Sequence, residues 1–188
     1  MRPAAQTAPV KLVVSVFTAE SALFSAVIGE LARRYGQPDF LSETLDFGST
    51  DYYREEMGFP LSRKLVSFES LIRPDGLSGV KLYTNGIEDV FLSADGKRRV
   101  NIDPGVLTLE RFVLASCKNF THRIYIGGGV YADLTLIYSA TSGSFRALEW
   151  TYPDYAAPGM TGILKELRRR YALSLGMGAR KAGKGAKA

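Results

Sequence analysis

Residues 122–126, the glycines Gly127, Gly128 and Gly129, and residues 130–138 make a hairpin signal: two β-branched and aromatic runs around a loop that tolerates positive φ. With the glycines as the loop, Ile126 faces Val130, Tyr125 faces Tyr131, Arg123 faces Asp133 and His122 faces Leu134. Side chains alternate faces along a strand, so Arg123, Tyr125, Tyr131, Asp133 and Thr135 share one surface. An arginine steadied by a facing carboxylate presents a planar fork that suits the paired oxygens of a carboxylate or phosphate. The plainer alternative is a solvated cross-strand ion pair, worth under about 1 kcal/mol.

A second polar face comes from Arg99, Asn101 and Asp103, which alternate with Val100 and Ile102 ahead of Pro104-Gly105. Arg99, with Lys97 nearby, would contact an anion, and Asn101 and Asp103 would orient it. If this strand neighbours the hairpin, the two polar faces merge into one pocket floor. Two aromatic-rich connections would rim it. One is 50–58 with Asp51, Tyr52 and Tyr53; the other is 150–155 with Trp150, Tyr152, Asp154 and Tyr155. Aromatic rings in polar loops either stack a planar ligand or pin the loops to the core. The expected ligand-binding set is therefore Arg99, Asn101, Asp103, Arg123 and Asp133, with Asp51, Tyr52, Trp150 and Asp154 at the rim.

Other chemistries fall away. His122 is the single histidine, so any site needing paired imidazoles is excluded. Cys117 is the single cysteine, which leaves no disulfide framework and no cysteine zinc site. No Gly-x-Ser-x-Gly elbow occurs. A carboxylate metal site from Asp51, Asp103, Asp133 or Asp154 has no ligand spacing behind it, and no metal is expected. Residues 178–184 imitate the opening of a P-loop, but Gly185 stands where Ser or Thr is required. The glycines at 127–129 join two strands, unlike a dinucleotide fingerprint. The sequence names neither a catalytic residue nor a cofactor.

Positioning these groups takes a modest set of elements. Residues 11–17 read as a buried strand. Thr18 is the expected cap of a helix carrying Phe24, Val27, Ile28, Leu31 and Tyr35, stopped by Gly36 and Pro38. Strands are expected at 40–47, 63–68 and 97–103, the last ended by Asp103-Pro104-Gly105. Helices are expected at 77–92, around 109–116, and through Ile163, Leu164, Leu167, Tyr171 and Leu175. The hairpin and a strand at 145–150 complete seven strands and four helices. That order implies a single α+β domain, with a largely antiparallel or mixed sheet and packed helices. Residues 1–9 read as a flexible lead, 10–175 as the domain and 176–188 as a disordered basic tail.

The chain has 188 residues, 46% hydrophobic and 23% charged, with a net charge of +5. Arg180, Lys181, Lys184 and Lys187 lie in the tail; removing those four leaves 20 bases against 19 acids. The body is nearly neutral, unlike a domain that spreads positive charge over one face for nucleic acid. No apolar run reaches the roughly 18 residues of a membrane helix, so no membrane partner is expected. One cysteine, and an apolar stretch at 12–17 that reads as a first strand rather than a signal peptide, lead us to expect a cytoplasmic protein. The functional expectation is binding or processing of a small anionic, phosphate-bearing ligand on the polar sheet face. The alternative is a non-catalytic RNA-associated accessory protein using Arg168, Arg169, Arg170 and the tail. Oligomeric state is not legible.

Several ordered phrases carry a resemblance: TDYYREEMG (50–58), KLVSFE (64–69), KLYTN (81–85), DGKRRVNIDPGVLTL (95–109), HRIYIGGGVYADLTLIY (122–138) and WTYPDY (150–155). Over about residues 10–170 the chain resembles an uncharacterised bacterial family of single-domain proteins, the domain of unknown function 4416. The resemblance implies a bacterial, cytosolic setting and no particular activity. The basic tail, and Val106 where an aromatic is expected, depart from the pattern.

Overall fold

A computed structural model describes residues 7–46 and 54–177. Residues 1–6 of the expected lead, 178–188 of the expected tail, and the expected rim residues Asp51 and Tyr52 lie outside the described residues. In chain order the elements are β1 (Val10–Thr18), α1 (Leu23–Tyr35), β2 (Pro38–Leu41), β3 (Leu45–Asp46) and α2 (Arg54–Met57). Then come β4 (Ser62–Ile72), α3 (Leu77–Val90), β5 (Val100–Leu107) and β6 (Arg111–Ser116). The chain continues through β7 (Arg123–Gly127), β8 (Val130–Ser139), β9 (Ser144–Ala147), α4 (Pro153–Ala156) and α5 (Pro158–Ser174).

All strands join one antiparallel sheet in the order β2-β4-β1-β5-β6-β8-β7, with β3 added to β4 and β9 to β8. The domain is α+β. β1 is its axis: Val10 to Thr18 are all buried, because strands flank it on both sides and helices cover both faces. Leu12, Val14 and Val16 pack against Phe24, Val27 and Leu31 of α1 and against Val80 and Ile87 of α3. On the other face Val13 and Leu65 pack with Leu107, Leu136 and the α5 residues Leu164 and Leu167. A strand covered on both faces reads as a continuous apolar run, which is how residues 11–17 look. No helix among the described residues is long and apolar enough to cross a membrane.

The structure corrects four local expectations. Residues 111–116 form strand β6 rather than a helix. A short apolar run such as Phe112-Val113-Leu114-Ala115 suits either state, and pairing with β5 and β8 decides it. Thr18 does not cap α1, which starts at Leu23 with no side-chain cap; its hydroxyl instead donates to the Arg99 carbonyl and accepts from the Glu20 N–H. β5 is buried on both faces rather than one, Asn101 included. Finally, Asp103-Pro104-Gly105 does not end β5, which runs on to Leu107.

Candidate ligand-binding site

Pro104 ends something else. Backbone N–H and C=O groups of alternate residues turn to the same side of a strand, so Ile102, Pro104 and Val106 address β6. Val106 pairs there with Val113, and Gly105 with Leu114. Pro104 has no N–H to donate, and the β5–β6 ladder stops beside it. Beyond that point the two strands part. Helix α3 satisfies the open edge: Lys81 Nζ donates to the Ile102 carbonyl at 2.8 Å, and the Ile102 N–H donates to Glu88 Oε1 at 2.6 Å.

A cavity of about 760 Å³ fills this fork, inside the range of about 300–1,000 Å³ typical of small-molecule sites. It is strongly charged. Arg63, Lys81, Arg98, Lys118 and Arg123 line it, as do Glu88, Asp89, Asp103, Asp133 and Asp154. The hairpin supplies one wall. Its register sets Arg123 opposite Asp133 and Tyr125 opposite Tyr131, as the glycine loop predicts, with an irregularity that brings Gly127 rather than Ile126 opposite Val130. Gly127, Gly128 and Gly129 all have positive φ, the conformation that demands glycine.

Arg123 and Asp133 are buried, not solvated. Arg123 Nε donates to Asp133 Oδ2 at 2.9 Å, and both side chains are under 10% exposed. His122 Nε2 lies 3.1 Å from the same oxygen. Trp150 stacks on the His122 ring at 4.9 Å and donates its indole N–H to the Leu134 carbonyl at 2.8 Å. Arg123 Nη1 donates to Ser116 Oγ and the Lys118 carbonyl, and Nη2 to the Tyr152 hydroxyl. Burial disfavours the charged guanidinium, but the bonds to Asp133 and Tyr152 outweigh it and hold the Arg123 pKa above its ordinary value.

The opposite wall is β5 with β1 and β4. Arg98 grips Glu56 through two bonds, at 2.7 and 2.5 Å, and Asn101 Oδ1 at 2.9 Å. The Arg98 bonds hold the Glu56 carboxyl below its usual value. Lys81 Nζ lies 3.6 Å from Asp103 and 3.8 Å from Glu88. Burial raises the Glu88 pKa against the pull of Lys81 and the Ile102 N–H. Arg63 Nη1 donates to Asp154 Oδ2 at 2.5 Å and covers the Tyr155 ring, whose phenol is pushed up by burial. Across the cavity mouth, Asn85 Nδ2 donates to Cys117 Sγ at 3.3 Å. Among the described residues no His, Cys, Asp and Glu side chains group in threes to hold a metal ion.

Of the residues singled out in the sequence, Asn101, Asp103, Arg123, Asp133 and Asp154 line this one cavity. Arg99 does not. It precedes the regular strand, turns outward and pairs with Glu20 at 2.7 and 2.5 Å; its neighbour Arg98 enters instead. Lys97 is exposed beside Asp95. Trp150 does not line the cavity; it stacks on the His122 ring. In α5, Arg168 donates to the Leu109 carbonyl and covers the Tyr138 ring, Arg169 pairs with Glu166, and Arg170 bonds both Glu166 and the Asp39 carbonyl. Sequence reading missed Lys81, Asn85 and Glu88. Their i, i+4, i+7 spacing puts three polar groups on one face of a helix and was the available signal.

Fold and site together define an antiparallel α+β domain with a charged, open-mouthed cavity at a strand fork. The family model described as domain of unknown function (DUF4416) matches residues 8–171, and the chain belongs to that family. No curated protein and no solved structure matches it.

Proposed function

We propose that the protein binds a small anionic ligand, phosphate- or carboxylate-bearing, in the cavity at the β5–β6 fork, with Arg123 as the principal anion contact. One observation carries this reading. Asp133 engages Arg123 at Nε, whereas Nη1 and Nη2 meet only neutral oxygens, at 3.0 to 3.4 Å. An anionic oxygen pair replaces such partners with charge-assisted bonds, roughly twice as strong. Lys81, Arg98 and Lys118 line the same cavity as further positive groups, among the carboxylates of Glu88, Asp89, Asp103 and Asp154. Glu88 and Lys81 are proton-transfer groups in reach of the same space, so the reading extends to acid–base processing of the bound anion. The lone cysteine fits a reducing, cytoplasmic setting. An RNA-associated role is the weaker reading, because Arg168, Arg169 and Arg170 are already engaged with the protein's own groups.

The test is calorimetric titration of the full chain with inorganic phosphate and small phosphomonoesters and carboxylates. Binding should weaken at least about tenfold in Arg123→Gln, in line with loss of a charged hydrogen-bond pair. Cys117 is exposed and lines the cavity, so a bound anion should slow its alkylation. Failure of every anion to bind or to protect Cys117 overturns the proposal.

A further inference from the structure

We infer that the β1–β5 side of this cavity is a hydroxyl-reading subsite, so that the ligand is a hydroxylated anion of the polyol phosphate or sugar acid class; the inference rests on the anion-binding reading above. Three buried polar side chains near Asp103 keep hydrogen-bonding capacity that is not fully used. Ser15 on β1 sits directly opposite Asp103 on β5, and Asn101 lies two residues along β5 on the same face. Tyr155 brings its phenol beside Ser15, Asp103 and Arg63. Asn101 Nδ2 has no hydrogen-bond partner among the described residues, and the Ser15 and Tyr155 hydroxyls have none there beyond their contact with each other. Their exposures are only 4%, 2% and 3%. The Asp103 carboxylate, 30% exposed, has Lys81 Nζ at 3.6 Å.

Native proteins pair nearly all their buried polar groups, so unused capacity on Asn101 and Tyr155, beside Asp103 in the cavity lining and with Ser15 just behind, marks a place where another molecule completes the bonding. Their chemistry selects it. Asn101 Nδ2 only donates, ionised Asp103 only accepts, and the Ser15 and Tyr155 hydroxyls do either. A bare phosphate or carboxylate oxygen satisfies Asn101 but is repelled by Asp103. An ammonium group suits Asp103 but faces Lys81 and Arg63 and leaves the Asn101 donor unpaired. An alkyl chain satisfies none of them. A hydroxyl donates to Asp103 while accepting from Asn101 or Tyr155, and adjacent hydroxyls use the whole set. Arg123 takes the anionic end on the opposite wall.

The full chain is titrated calorimetrically with glycerol 3-phosphate and ribose 5-phosphate. Their partners are n-propyl phosphate and n-pentyl phosphate, matched in carbon count and anionic group but lacking the hydroxyls. Gluconate against hexanoate is the carboxylate arm, and arabinitol is the neutral one. At least one hydroxylated anion should bind tenfold or more tighter than its alkyl partner. Tyr155→Phe, which keeps the local packing, should narrow that ratio about three- to tenfold, the usual effect of one hydrogen bond, and Ser15→Ala, whose hydroxyl lies behind the cavity lining, should narrow it less. Without ligand neither variant should melt far from the wild type, since each deletes at most the Ser15–Tyr155 contact. Equal binding of hydroxylated and alkyl anions overturns the hydroxyl subsite and leaves anion binding intact. Binding of arabinitol without any anion overturns the anion reading and keeps the subsite. No binding by any of these overturns both.

Discussion

The Ile102 N–H donates to Glu88 Oε1 at 2.6 Å, so a helix side chain bonds strand β5 where β6 has turned away. The fork that creates the cavity therefore depends on α3. Glu88→Ala leaves that buried N–H unpaired and should cost about 1–3 kcal/mol in urea denaturation. Glu88→Gln, which keeps an acceptor oxygen, should cost clearly less. Equal losses would mean the bond contributes nothing.

The same carboxyl predicts a pH dependence. Burial raises the Glu88 pKa above the ordinary 4.5, close to where the unfolded chain titrates. Between those two values the folded protein holds a proton that the unfolded chain has released. This group's contribution therefore favours folding at low pH and is withdrawn as pH rises through the window. Glu88→Gln lacks that dependence, so its stability relative to wild type should climb as the pH rises above about 4.5. Denaturation midpoints of both proteins across that range check the sign.

Asp133 and Arg123 form a buried pair, and breaking one partner of such a pair costs about 3–5 kcal/mol. Asp133→Ala should lose that much and also weaken phosphate binding, because Arg123 Nε is no longer held. Adding Arg123→Leu should recover part of the stability but none of the binding. A stability loss under about 1 kcal/mol would place the pair in effective contact with water.

Gly105 is required by packing rather than by backbone angles. A Cβ there would lie 2.7 Å from the Phe112 ring and 2.9 Å from the Val113 carbonyl oxygen. Phe112 is buried and cannot swing away. Gly105→Ala should cost about 1–3 kcal/mol by thermal melting. Phe112→Leu in the same chain should restore only part, because the Val113 contact persists.

Helix α5 closes one core face, with Leu167 fully buried against it. Leu167→Ala should cost about 2–5 kcal/mol. Leu173→Ala, on the same helix but exposed, should stay within about 0.5 kcal/mol of wild type.

Local patterns carried much of this architecture. Strand β1, helix α1 with its stop at Gly36, the amphipathic α5 and the hairpin register from Arg123 to Tyr131 are all read from neighbours in sequence. Apolar periodicity and glycines needing positive φ are short-range physics, and they survive into the fold unchanged. The Arg123–Asp133 pair was legible for the same reason, since a glycine loop of known length determines which residues face each other.

What only the tertiary structure decided are the relations between distant elements. Whether 111–116 becomes strand or helix depends on β5 and β8, because the segment itself is too short to prefer either. Pro104 marks a turn by its local rule, yet with β1 on one side and α3 on the other it marks a fork. Arg99 and Arg98 exchange roles because β5 begins at Val100, one residue too late for strand alternation to carry Arg99 inward. Lys81, Asn85 and Glu88 share a helix face, but nothing in α3 states what that face meets. The sequence by itself determined the pieces and one charged pair, through interactions between near neighbours; the cavity arises from contacts among residues far apart in the chain, which only the packed fold brings together.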